Sequence, residues 1–309
     1  MISFKEDHIS QIPALLMLEK IGYTYLTPDE ALALRGGNLA NVLLEPVLRK
    51  QLAAINVVQV SSVRTTVFSE QNITAGIDAL RNIPMDEGFM EASQTVYDLL
   101  TSGKTLEQIV DGDRKSFVMQ YIDWKNPRNN VFHVTEEFAV SRTGMTETYR
   151  PDIVLFVNGI PLCVIECKRP DVKDSIEQAI SQHLRNQKAD GIRSLYLYST
   201  LLLAINRQEG SYATTATPEK FWARWREQFA NREEEVRYRQ ELERVVNEPL
   251  LDDKLFVERF GYVRRNFEEL YKQPVTPSVQ DEYLYNLCRP ERLLQLMYGF
   301  TLYDDGIKK

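Results

Sequence analysis

Apolar positions along this chain recur in two ways, at helical spacing in some stretches and as short unbroken runs in others. Within 9–21, apolar residues at 12, 15, 16, 18 and 21 predict an amphipathic helix, and Gly22 supplies its stop. Leu39, Val42, Leu43, Val47, Leu48 and Leu52 predict a second helix over 38–55, and 89–100 predicts a third. The stretch 57–68 reads as a strand or a buried turn. Strands are predicted at 117–124 and 131–141, on either side of an Asn-Pro-Arg-Asn-Asn turn. The runs Ile153–Val157 and Leu162–Ile165 are solidly apolar, as strands buried on both faces should be. Asn158–Gly159 between them is a strong hairpin signal. A helix over 174–187 follows, with Asp174 or Ser175 at its N-cap and Ile176, Ile180 and Leu184 as its apolar stripe. Further strands are predicted at 194–199 and 201–206, a charged helix over 218–247, and helices over 250–271 and 282–300. Strands and helices alternating around a central hairpin give an α/β class with a mixed β-sheet flanked by helices.

The central hairpin ends in charge. Asp152 precedes its first run and Glu166-Cys167-Lys168 closes its second. Isolated charges at the end of a buried sheet cost several kcal/mol unless paired or bound to a cation. A single Glu-x-Lys would ordinarily be a solvated strand end; the buried setting favours a site here. Asp152 and Glu166 are hard oxygen donors suited to Mg²⁺. Glu166 and Lys168, two apart on a strand, share a face, while Cys167 points away. Lys168 then stands where it can orient a water or balance charge on a phosphate. The register has to cooperate. With a plain two-residue turn the paired positions place Asp152 on the face opposite Glu166. A longer loop, a bulge or an equivalent break is therefore expected, and not a plain turn.

Taken with their context, these residues resemble the PD-(D/E)xK nuclease motif. At finer grain the chain resembles the N-terminal part of the restriction (R) subunit of type I restriction enzymes. The resemblance runs through Gly22-Tyr23, Ile122-Asp123-Trp124, Asn130-Val131-Phe132, Arg150-Pro151-Asp152, Asn158-Gly159-Ile160-Pro161, Glu166-Cys167-Lys168, Arg289–Leu294 and Tyr303–Lys309. It implies a Mg²⁺-dependent DNA endonuclease, with Mn²⁺ able to substitute. Asp152 and Glu166 would hold the metal with the Cys167 backbone carbonyl, and Lys168 would position the attacking water. It further implies catalytic support from Gln182, the glutamine of a Gln-x-x-x-Tyr pattern, although Asn186 stands where the tyrosine is expected. A tyrosine restored at 186 is expected to be tolerated. Similar nucleases also draw a carboxylate from the first helix, for which Glu6 is the first candidate and Glu19 the second. The resemblance divides the chain into an endonuclease domain at 1–210 and a helical extension at 211–309, leading toward a helicase motor absent from these residues. ATP would act only through that motor, and modification and specificity subunits would be the partners that recognise double-stranded DNA.

Composition narrows the field without deciding it. With 309 residues, 43% hydrophobic and 26% charged, the chain is of ordinary globular type. No apolar run approaches the roughly 20 residues of a membrane span, and Met1–His8 does not have the pattern of a secretory leader. A cytoplasmic location is expected. Cys163, Cys167 and Cys288 lack zinc-type spacing, and Cys163 and Cys167, on one strand, read as small buried hydrophobes. A net charge of −7 argues against a general nucleic-acid coat. It leaves room for a local basic track, for which Arg169, Lys173, Arg185 and Lys188, with Arg193 beyond them, are the DNA-contact candidates. Gln178, Gln182 and Asn186 share a polar face of the helix after the hairpin, and His133 and His183 read as structural. Gly103-Lys104-Thr105 fails as a phosphate loop, since Walker A spacing needs glycine where Asp98 stands; it reads as a loop. Two alternatives remain at this point: a stand-alone repair or recombination nuclease, and a docking module with a vestigial site.

Overall fold

The computed structural model describes residues 10–61, 63–250, 253–304 and 307–308. Its centre is a six-stranded mixed sheet in sequential order: β1 (Thr24–Tyr25), β2 (Phe132–Glu136), β3 (Ile153–Val157), β4 (Ile160–Cys167), β5 (Leu201–Ile205) and β6 (Gly210–Ala213). β1 with β2 and β4 with β5 are parallel pairs; the other neighbours are antiparallel. Every residue of β3, β4 and β5 is buried, as their unbroken apolar runs predict.

Two helices cover opposite faces of β4. The connection between parallel β4 and β5 contains the helix Ser175–Asn186, which packs on both strands. Glu166 points toward it, bonding Gln182. Cys163, three residues away and so on the other face, lies against Cys288 at the end of the helix Val279–Cys288. The first helix, Ile12–Lys20, packs on that same C-terminal helix. Tyr23 locks the pair by donating its hydroxyl to the Cys288 carbonyl at 2.7 Å. Residues beyond 211 therefore share one apolar core with the sheet. All three cysteines are buried, and none forms a disulfide.

Several elements differ from their sequence patterns, each for a local reason. The spacing over 38–55 predicts one helix, but the observed helix is Glu45–Ile55, with Pro46 in its first turn where a missing N–H costs nothing. The stretch 57–68 is a hairpin of Val57–Ser61 and Arg64–Val67. A helix, Glu70–Arg81, follows it with Ser69 as cap; the pattern reading does not foresee it. Lys104–Val110 and Asp113–Met119 form another hairpin, so Lys104 and Thr105 begin a strand and are not a loop. The run 194–199 is not a strand: Arg193–Tyr196 is a helical turn, and apolar runs this short do not distinguish the two. The charged helix starts only at Arg232. Trp222 and Trp225 precede it, in a segment where Ala223 bridges to Tyr212 at the sheet edge. Leu255–Phe260 is a π-helical turn that breaks the predicted 250–271 helix, and Pro290 divides 282–300 into two helices.

Candidate functional site

The hairpin turn is the plain two-residue one. Asn158 and Gly159 both adopt the left-handed conformation, with φ of 52° and 84°, and Val157 pairs with Ile160. The expectation of a longer loop is thus corrected. The break comes two residues later: Pro161 pairs with Phe156, but Cys163 pairs with Leu155, so Leu162 is an extra residue in β4. The bulge has a use for its backbone, since the Leu162 carbonyl accepts the Thr200 N–H at 2.9 Å. From there the register runs Val164–Val154 and Ile165–Ile153, and its next step sets Glu166 across from Asp152.

The side chains close on one another at that end. Asp152 Oδ2 accepts the Cys167 N–H at 2.7 Å. Lys168 Nζ lies 3.4 Å from the same oxygen and 4.0 Å from Glu166 Oε2, and donates to the Cys167 carbonyl at 3.0 Å. Gln182 Nε2 donates to Glu166 Oε2 at 2.6 Å. The backbone on each side is pinned. The Lys168 N–H bonds Ile205 and its carbonyl accepts the Ser10 hydroxyl at 2.6 Å. The Asp152 carbonyl accepts Gln11 Nε2 at 2.9 Å and the Glu137 N–H at 3.0 Å. A cleft of about 380 Å³ opens over Asp152 and Cys167.

The electrostatics leave a deficit of positive charge. Burial, and then the charge of Asp152, push the Glu166 carboxyl well above the usual carboxylate range, while Lys168 and Arg185 pull it back. One ammonium faces two carboxylates. Glu166 is fully buried, and its Oε1 has no hydrogen-bond partner among the described residues. An orphaned, buried oxygen beside a second carboxylate and a backbone carbonyl is a hard-oxygen donor set of the kind that suits Mg²⁺. No group of three or more His, Cys, Asp or Glu side chains that could hold a metal ion occurs among the described residues, so a carbonyl or water would have to complete such a site.

Comparison with known proteins agrees with the resemblance carried by these residues. Residues 3–221 match the family model described as type I restriction enzyme R protein N terminus. The chain belongs to this family. It is 27% identical over 228 residues to a putative type I restriction enzyme MjaIXP endonuclease subunit of Methanocaldococcus jannaschii, which covers 71% of this chain and 20% of that protein. It is 29% identical over 206 residues to the type I restriction enzyme HindI endonuclease subunit of Haemophilus influenzae, covering 64% of this chain and 18% of that one. The chain thus spans about a fifth of the length of these relatives.

Other stretches of the R-protein resemblance serve the scaffold. Asn158, fully buried, accepts the Val131 N–H and donates to the Tyr121 carbonyl and to Asn130 Oδ1. Asn130 in turn bonds the backbone of Asp123. These polar residues peg the turn end of the hairpin, at the far end from Glu166.

The structure brings Asp152, Glu166, Cys167, Lys168 and Gln182 together and separates the remaining candidates. Glu6 lies outside the described residues. Glu19 is eight residues along the first helix from Gln11, roughly 12 Å by helical rise, so it does not reach the site. The proposed polar stripe is not one: Gln178 is exposed, but Gln182 faces the sheet and Asn186 is fully buried. Asn186 Nδ2 lies 3.5 Å from the Tyr196 hydroxyl. A tyrosine at 186 would therefore be overpacked, contrary to expectation, and Tyr196 already brings a phenol to this place. Arg169 pairs with Asp171, Lys173 lies near Asp174 at 3.9 Å, and Arg185 stacks on Tyr149, while Lys188 is exposed. Arg193 bonds the Gln187 carbonyl. His183, fully buried between Tyr196 and the Leu203 carbonyl, is structural as expected. Ser10, Gln11 and Tyr196 were not foreseen. For Ser10 and Gln11 the one available signal was two polar residues leading an otherwise apolar helix.

Among the described residues no helix is long and apolar enough to cross a membrane.

Proposed function

We propose that the chain is a PD-(D/E)xK-type endonuclease unit that hydrolyses DNA phosphodiester bonds with Mg²⁺, as part of an ATP-driven type I restriction complex. The observation that carries the reading is the Leu162 bulge, which turns Asp152 and Glu166 toward one another beside Lys168. Family membership adds the restriction context, and the names of the relatives add endonuclease. Asp152, Glu166 Oε1 and the Cys167 carbonyl would hold the ion. When bound, the ion supplies charge stabilisation at the phosphate under attack. Gln182 holds Glu166 Oε2, so that Oε1 is the oxygen offered. Lys168 Nζ holds the attacking water by a hydrogen bond and offsets charge that develops on the phosphate. Residues 1–210 would be the nuclease unit and 211–309 its extension toward a motor. Double-stranded DNA and the modification and specificity subunits would be the partners.

The test is plasmid cleavage by the assembled complex. Asp152→Asn, Glu166→Gln and Lys168→Ala should each lower the cleavage rate on the order of a hundredfold or more, with ATP hydrolysis retained. Glu166→Gln should also raise the unfolding midpoint, because a buried carboxylate replaced by its amide no longer carries a desolvated charge. Normal cutting by the Lys168 variant would remove that residue from the mechanism.

A further inference from the structure

The cleft over Asp152 is also lined by residues far outside the hairpin. Arg259, Phe260 and Tyr262 line it together with Gln11, Glu137, Asp152 and Cys167. Arg259 is the one cation among the described residues that line the cleft, which the carboxylates of Asp152 and Glu137 also line. It lies in the π-helical turn Leu255–Phe260, beyond the 3–221 stretch that the family model matches. A π turn shifts a side chain off the helical stripe it would otherwise follow, and such turns recur at functional sites.

Its anchor is unusual. Arg259 Nε donates to Glu136 Oε1 at 2.8 Å, and the Tyr25 hydroxyl donates to the same oxygen at 3.0 Å. Glu136 is completely buried at the end of β2, and its Oε2 has no hydrogen-bond partner among the described residues. Burial pushes the Glu136 carboxyl up, and the bonds from Arg259 and Tyr25 draw it back. The guanidinium is thus tethered through Nε, while its side chain remains 41% exposed to the cleft. That leaves the edge formed by its two terminal nitrogens to meet an outside acceptor. A planar fork held from behind by a buried carboxylate suits a tetrahedral oxyanion that can accept two parallel bonds.

We propose that Arg259 is a phosphate clamp, gripping a backbone phosphate of the DNA strand lying in the cleft, with Glu136 and Tyr25 as its positioning residues. The proposal rests on the nuclease reading above. It adds a DNA-contacting residue from the segment after 211, so the extension completes the nuclease cleft. In a chain of net charge −7, a held cation beside two carboxylates is what lets a polyanion approach them.

The test measures binding of a fluorescein-labelled DNA duplex to the full chain in EDTA over a range of salt concentrations. An Asp152→Asn background removes one repelling charge. Arg259→Ala should weaken binding about tenfold, the value of one charge-assisted contact. It should also reduce the slope of log affinity against log salt by about 0.9, one phosphate's worth. Arg259→Lys should restore the slope but not the full affinity, since an ammonium keeps the charge and loses the fork. It also serves should the alanine variant fold poorly. Arg265→Ala, an exposed charge that does not line the cleft, should change neither quantity by as much. An unchanged slope in folded Arg259→Ala, or a loss equal to that of Arg265→Ala, overturns the clamp. So does an Arg259→Lys variant indistinguishable from the unsubstituted side chain, since the fork would then have no role. The nuclease reading fails separately, if Asp152→Asn alone leaves Mg²⁺-dependent cleavage intact.

Discussion

Two hairpins in this molecule have the same turn and opposite fates. Asp111–Gly112, with φ of 56° and 88°, repeats the backbone of Asn158–Gly159, with φ of 52° and 84°. The hairpin Lys104–Met119 then pairs without interruption from Val110–Asp113 back to Lys104–Met119. It lies largely exposed, and its charges form surface pairs, Arg114 with Glu107 across its own strands and Asp111 with Arg64 outside it. The hairpin β3–β4 is buried throughout and carries one extra residue, Leu162. Turn type therefore sets only the start of the register. One inserted residue decides whether two carboxylates at the far end meet or turn their backs. The lesson is about where to look for function in a sheet: the regular pair leaves its charges in exposed surface pairs, and the irregular one brings two carboxylates together at a buried strand end.

Glycine substitutions sharpen this contrast most. A Cβ at Gly159 would sit 2.6 Å from the Leu44 carbonyl oxygen and 3.1 Å from the Leu48 nitrogen, backbone atoms that cannot easily yield. At Gly112 nothing lies within 4 Å. Gly159→Ala should cost about 3 kcal/mol or more, from the left-handed backbone and the overlap together. Gly112→Ala should cost about 1 kcal/mol from the backbone alone. Urea unfolding of both variants checks the difference, and equal losses would mean that the buried turn is not clamped.

A smaller effect separates the two regions by pH. His183, on the helix over β4 and β5, has its pKa driven down to about 4 by burial, from an ordinary value of 6.5. Between these values the unfolded chain binds a proton that the folded chain refuses, so stability rises with pH across that window and falls on acidification. The imidazole should account for a loss of about 2 kcal/mol between pH 7 and pH 5. The difference in urea stability between the chain and His183→Gln, measured at both pH values, isolates this contribution from the carboxyl groups. A difference that does not change with pH would place a charged imidazole in the folded state.

Much of this site was legible because it is local. Asp152 and Glu166-Cys167-Lys168 sit at the two ends of one apolar hairpin, and runs of that kind announce buried strands. Gln182 was legible through its resemblance, although its facing was not: the helix turns it inward to Glu166. The bulge could be demanded from register parity but not located. What fixes it at Leu162 includes a bond from Thr200, on the far side of a helix in sequence. Ser10, Gln11 and Arg259 escaped for the same reason. Ser10 and Gln11 lead the first helix and Arg259 lines the cleft from the π turn Leu255–Phe260, placements that hydrophobic spacing cannot assign. The 194–199 run misled because four to six apolar residues fit a helical turn as well as a strand.

Anomalous diffraction from crystals of the chain soaked in Mn²⁺ tests the shared carboxylate site most directly. The account predicts a peak within bonding distance of Asp152, Glu166 Oε1 and the Cys167 carbonyl, absent in Asp152→Asn crystals treated alike. A soaked crystal with no ion there, or with the two carboxylates on opposite faces of an unbulged β4, would contradict it.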